Sequence, residues 1–268
     1  MTTLAHRRYT TAQLRELIER APADPAQLND EHRRSLSARF RSVPGTTHRH
    51  LDAWSVESAG QSPRAFRWTP QTARRTLGNA AVRRLVEQPH QTLRDAVEWA
   101  ISDQLLRAAS GRTRAGSLAY WLAHAPAPVL GLVTGEALNW SSSVLEAARP
   151  LEMAWHVARS DAYYDVAAAR TSLRARRDLV VAIDPLRVIV RLRGGAPGKS
   201  AGPGLRADLT IATLADPEGV APARIIGLWP DAGVCLAVDG TIADLRAGAR
   251  DLVRTAVVQA RLRAPRAA

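Results

Sequence analysis

Alternation of apolar and polar positions is sharpest late in the chain. An apolar run at 179–183, a turn at Asp184-Pro185 and a β-branched run at 187–193, closed by Gly194-Gly195, predict two adjacent and mostly buried strands. In the second, Arg191 and Arg193 are two residues apart, so both side chains leave the same face. Two guanidinium groups are not aimed at an apolar core, and that face is expected to look into a cleft or onto solvent. Runs at 223–229 and 233–238, around Pro230-Asp231, predict another strand pair. Between the two pairs a Gly/Pro-rich loop is expected from Gly194 to Gly204, then a short helical stretch after Arg206-Ala207-Asp208-Leu209.

Helical periodicity dominates the first half. Residues 11–21 carry Leu14, Leu17 and Ile18 at core spacing behind a Thr11 cap, and Pro22 and Pro25 end that helix. Residues 27–41 are periodic only through Leu28, Leu36 and Phe40 and carry five basic or imidazole side chains, which predicts a surface helix or arm. Residues 42–64, with Pro44-Gly45 and Ser62-Pro63, read as linker. From 70 to 150 three stripes follow: Leu77, Ala81, Val82, Leu85; then Leu93, Val97, Ile101, Leu105, Leu106; then Leu118, Trp121, Leu122. Trp99, Trp121, Trp140 and Trp155 fall in apolar helical patterns and read as packing residues rather than platforms for nucleic-acid bases. A last helix opens at Thr241, with Asp244 in capping-box position and a core stripe of Ile242, Leu245, Leu252, Val253 and Val257. The expected fold is α/β (α+β), a helical N-terminal half followed by a sheet flanked by helices. Its expected division is a basic arm and linker over 1–62 and a domain over 63–268, helical over 63–160 with a sheet-containing core at 161–263.

Composition adds charge to this picture. The chain has 268 residues, room for one sizeable core with an appendage. A lone Cys235 excludes an internal disulfide framework and fits a reducing cytoplasm, and no apolar run approaches a membrane span. The net charge of +12 suits a polyanion partner, since clustered basic groups displace counterions from phosphate backbones. Lys199 is the only lysine, so a codon bias toward Arg competes with that reading. His48 and His50 stand alone in the linker, without the Cys or carboxylate company of a metal site. Gly194-Gly195-Ala196-Pro197-Gly198-Lys199-Ser200 imitates a phosphate-binding P-loop but fails on spacing, because Arg193 holds the position of the first Gly. Gly202-Pro203-Gly204 is also expected to separate it from any helix.

Ala175-Arg176-Arg177-Asp178-Leu179 and Arg191-Leu192-Arg193-Gly194-Gly195 resemble two strand motifs of the RecB-like, actinobacterial branch of the PD-(D/E)xK nuclease superfamily, Gly-Arg-x-Asp-Leu and Asp-Leu-Lys-Thr-Gly. Upstream, Phe66-Arg67-Trp68 and the stretch Arg75 to Ala81 resemble the aromatic entry and Gly-x-Leu-x-His-x-Ala helix of that family, with Arg75 at the Gly position and Asn79 at the His position. The likeness spans roughly residues 60 to 262. It implies a restriction-endonuclease-like mixed sheet and a catalytic set at Asp178, Arg191, Arg193 and Asn79. Family members hold Mg²⁺ on carboxylates of neighbouring strands to activate water and offset charge in the transition state. Here Asp178 survives as a ligand, while Arg191 replaces the second acid and Arg193 the lysine.

A positive charge in a ligand position repels a dication, and Arg cannot exchange protons with water but forks hydrogen bonds onto phosphate. The first expectation is therefore a catalytically impaired or inactive DNA-binding protein needing no cofactor. Its candidate DNA contacts are Arg75, Arg176, Arg177, Arg191, Arg193 and Lys199, together with Arg246, Arg250 and Arg254 along the last helix. An alternative is an active Mg²⁺-dependent nuclease rebuilt on Asp178, Asp184 and Asp208 with Lys199. A third reading is an adaptor module for a helicase or other DNA-processing protein, in which Arg191 and Arg193 pair internally with Asp178, Asp184 or Asp208.

Overall fold

The fold is described from a computed structural model over residues 8–45, 48–58, 70–88, 90–109, 125–148, 155–157, 161–183 and 185–263. The helices are α1 (Leu14–Glu19), α2 (Asp30–Arg41), α3 (Ala53–Glu57), α4 (Pro70–Glu87), α5 (Leu93–Ala109), α6 (Ala127–Ala148), α7 (Ala201–Leu214) and α8 (Ile242–Arg263). The strands are β1 (Arg8–Thr10), β2 (Arg49–Leu51), β3 (Trp155–Val157), β4 (Ala162–Val166), β5 (Thr171–Ala175), β6 (Leu179–Ile183), β7 (Leu186–Leu192), β8 (Arg224–Trp229) and β9 (Val234–Asp239).

Six strands form the main sheet in the order β1-β9-β8-β7-β6-β3. Among the described strands of this sheet, only β7 and β8 pair in parallel, and α7 makes the crossover between them that parallel pairing requires. A smaller sheet, β2-β5-β4, lies beside it. The protein is thus mixed α/β.

Strand period two sorts the core into layers. On β7, Val188, Val190 and Leu192 join α1, α4 and α6 in one core, while Ile189 faces the other, built by α2, α7, α8 and the small sheet. Close approach of α4 to α6 depends on Gly78, because a Cβ there would lie 1.7 Å from the ring of the fully buried Trp140. Helix α8 starts as its sequence indicates: Thr241 Oγ1 accepts from the Asp244 amide at 3.2 Å.

Several expectations need correction. Within the expected arm and linker, the described residues 8–45 and 48–58 are packed: β1 pairs with β9, Leu14, Leu17 and Ile18 are buried, and β2 and α3 fall in the stretch expected to be linker. Leu36 and Phe40 bury the inner face of α2, so it is no free arm. Trp155 lies on a strand rather than a helix. The loop after β7 ends at Ser200 instead of Gly204, since Gly202-Pro203-Gly204 falls in the first turn of α7, where proline's missing N–H costs no helical bond. Phe66 to Trp68, the stripe around Trp121, and Asp184 lie outside the described residues.

Candidate functional site

Four pieces of chain meet at the end of β7. Arg191 follows Ile189 on the face covered by α7, a helix buried on nearly every side, which presents Asp208. The Arg191 Nε and an Asp208 carboxylate oxygen are 3.1 Å apart, with side chains 5% and 1% exposed. Arg193, two residues on, pairs with Glu57 at the end of α3 and lies over the Trp229 ring at 5.8 Å from its centre. Gly204 makes the first of these contacts possible, because a Cβ on that turn of α7 would sit 2.1 Å from the Glu57 carboxylate.

Asp178 precedes β6, whose register on β7 ends at Leu179 opposite Val190. Its carboxylate takes over as acceptor for the Leu192 N–H at 3.0 Å, completing the hydrogen bonding where β6 no longer offers a partner. Arg83 donates to the other oxygen at 3.2 Å, and Arg176 lies 3.7 Å away. Arg75, Asn79 and Arg83 recur every fourth residue on α4 and so share a face. Asn79 is buried between the two arginines, and its Oδ1 has no hydrogen-bond partner among the described residues.

These groups surround a cavity of about 300 Å³. Arg75, Arg174, Arg176, Arg191 and Arg193 line it. Asp52, Asp178 and Asp208 supply its carboxylates, leaving a formal surplus of two positive charges. Burial works to raise the pKa of Asp178, but Arg191, Arg176, Arg83 and the Leu192 N–H hold it below the usual carboxylate range. For Asp208 burial prevails over the attraction of Arg191 and Arg193, and its carboxyl is pushed up to about 6. Neither Asp208 oxygen is in line for a hydrogen bond, so the nearby cation repays only part of the lost hydration. Arg191 is also penalised by burial, yet Asp208 and Asp178 raise its pKa and it stays charged. Burial, and then Arg176, lower the pKa of Arg75.

The sequence places Arg191 and Arg193 on one face, and the structure agrees. They line a cleft, as expected, but neither reaches solvent, because α3 and α7 cover them and supply counter-charges. The internal pairing with Asp208 was one of the alternatives left open by sequence; the pairing with Glu57 was not. The sequence does mark the short helix that carries Glu57, through Asp52 in cap position, which accepts from Ser55 N at 2.7 Å, but not the pairing itself. Arg176 and Arg75 reach the cavity. Arg177 lines a separate depression with Asp161, Arg187 and Asp216. Lys199 is exposed in the turn before α7, and Arg246, Arg250 and Arg254 lie on the outer face of α8. The Lys199-Ser200 turn does lead straight into a helix, contrary to expectation, but the P-loop spacing still fails at Arg193.

The donor set suits Mg²⁺ poorly. Asp178 is engaged by an amide and two guanidinium groups, Asp208 faces Arg191, and a dication placed among them meets positive charge on each side. Cys235 offers no nucleophile either, since burial pushes its thiol up to about 12.

Fold and site together define a three-layer mixed α/β protein with an arginine–carboxylate cluster at the end of its central parallel strand pair. No family model, curated protein or solved structure matches the chain.

Proposed function

We propose that the chain is a DNA-binding protein of nuclease-like build that no longer cuts, and that it grips a backbone phosphate in the cavity beside β7. The observation that carries this reading is Arg75. It lines the cavity partly buried, and among the described residues no carboxylate lies within ion-pair distance of it. Beside it, Arg174, which pairs with Asp161 at 2.6 Å, and Arg176, 3.7 Å from Asp178, keep side chains 51% and 39% exposed. Arg191 and Arg193 are buried and engaged by Asp208 and Glu57, so they hold the cavity's shape and neutralise its acids, while Arg75 meets the phosphate with the more exposed Arg174 and Arg176 at its margin. A desolvated guanidinium without a counter-ion gains most from an anion, through short charge-assisted hydrogen bonds. The order β6, β7, α7, β8 also supports the nuclease-like reading, since it sets Asp178, just before β6, beside Arg191 on β7 at one end of the sheet.

The test is a titration of labelled single-stranded and duplex DNA at about 50 and about 200 mM salt, with and without Mg²⁺. Wild type is expected to bind with steep salt dependence and leave the DNA intact, and Arg75→Ala to bind about tenfold more weakly. Mg²⁺-dependent cleavage that disappears in Asp178→Ala would replace this reading with that of an active nuclease. Absence of binding at low salt would replace it with an adaptor role, which the internal pairing of Arg191 and Arg193 favours.

A further inference from the structure

A second recess, of about 510 Å³, lies between α2 and α8 where both cross α7. Leu28, Leu36, Leu214, Leu245 and Ala249 form its base. Arg39 from α2 and Arg246 and Arg250 from α8 form its rim, against one carboxylate, Glu31. All three arginines are exposed, and none has an acidic partner among the described residues. Arg246 and Arg250 are four apart on one helix face, an arrangement that costs a helix stability through like-charge repulsion. A ligand that brings negative charge relieves that repulsion, and one that also brings apolar side chains covers the leucines.

DNA satisfies only the first requirement. A phosphodiester chain binds a positive rim through its charges and has nothing to seat against leucines. A helix with carboxylates flanking an apolar stripe satisfies both, and a groove between two helices is the usual receptor for one. We propose that the α2–α8 groove docks an acidic amphipathic helix of a partner protein. Its apolar side chains lie over Leu36, Leu214 and Leu245, and its carboxylates meet Arg39, Arg246 and Arg250.

Two fluorescein-labelled synthetic peptides of identical Leu, Glu and Ala composition test this by anisotropy. One carries Leu on a single helical face, and the other is scrambled to disperse them. The patterned peptide is expected to bind at micromolar concentration and to weaken with salt, with the scrambled one about tenfold weaker. Arg246→Glu with Arg250→Glu is expected to weaken binding at least about tenfold. Ser35→Trp, which fills the recess from its exposed rim without altering charge, is expected to do the same and covers the case in which charge reversal disturbs folding. Equal binding of the two peptides, binding indifferent to Ser35→Trp, or no binding of the patterned peptide would overturn the proposal. So would displacement of the patterned peptide by duplex DNA whose own binding is lost on charge reversal, which would make the groove a nucleic-acid surface. Arg75→Ala leaves peptide binding unchanged, so failure here is distinct from failure of the cavity reading.

Discussion

Deleting one member of the Arg191–Asp208 pair has a cost that the geometry lets us estimate. At 3.1 Å, and with an effective dielectric constant of about 20, the attraction is worth about 5 kcal/mol. Removing each ion from water costs several kcal/mol, so the pair as a whole stabilises the fold little. Its members singly are another matter. Asp208→Leu leaves a guanidinium only 5% exposed with no carboxylate paired to it, and such a change costs about 3–5 kcal/mol. Arg191→Met leaves a buried carboxyl, but one already pushed up to about 6 that can take a proton and become neutral, so it is expected to cost less. Arg191 has no such escape, because guanidinium stays charged. The double variant Arg191→Met, Asp208→Leu removes both ions and is expected to fall within about 1 kcal/mol of wild type. Urea unfolding of the four proteins measures each corner of the cycle and their coupling. If Asp208→Leu costs under about 1 kcal/mol, or the double variant loses the sum of the singles, the two groups are not a buried pair and the reasoning fails.

Three further outcomes follow from the same site. Gly204→Ala, which a helix would ordinarily welcome, is expected to cost about 1–3 kcal/mol because its methyl displaces Glu57 from Arg193. In a Glu57→Ala background that cost should vanish, and urea unfolding of the pair checks it. Asp208 binds its proton more tightly folded, at about 6 against an ordinary carboxyl value of 3.8, so its contribution to stability falls as pH rises through that window, by on the order of 3 kcal/mol in all. Asp178 acts in the opposite sense, its contribution being present above the ordinary carboxylate range and lost in stronger acid; a stability profile of wild type against Asp208→Asn should show the upper slope only in wild type. Arg191→Asp with Arg193→Lys is expected to gain thermal stability on adding Mg²⁺ while wild type gains none, and equal responses in a melting assay would count against the electrostatic argument.

Much of the sheet was legible because its central strands are long and apolar. The 179–183 and 187–193 runs match β6 and β7 within a residue, and period two placed Arg191 and Arg193 together. Strands β1 to β5 escaped notice because they are short and carry Arg49, His50, Tyr163 and Asp165, with no apolar run to mark them. What covers the two arginines was harder to see. Asp208 sits in a stretch of low charge running from Ala207 to Leu214, and a lone carboxylate in a helix buried all round demands a cation. Glu57 comes from the distant N-terminal segment, and only tertiary packing brings it to β7. The outward-facing arginines of α8 were legible as a row, but the facing Arg39 and the leucine base were not, since they depend on where α2 lands.

Arg191 also restricts which neighbouring sequences are open to the protein. It sits between two buried acids, and exchanging it for aspartate alone would gather three carboxylates in a space from which water is largely excluded. Until an ion arrived to hold them, such a chain would be among the least stable of its single-step relatives. A path toward metal chemistry must therefore neutralise or displace Asp208 first, and a path away from Asp208 must first remove Arg191. Each residue makes the other difficult to replace, so the pair works as a ratchet that keeps this end of the sheet in its present chemistry.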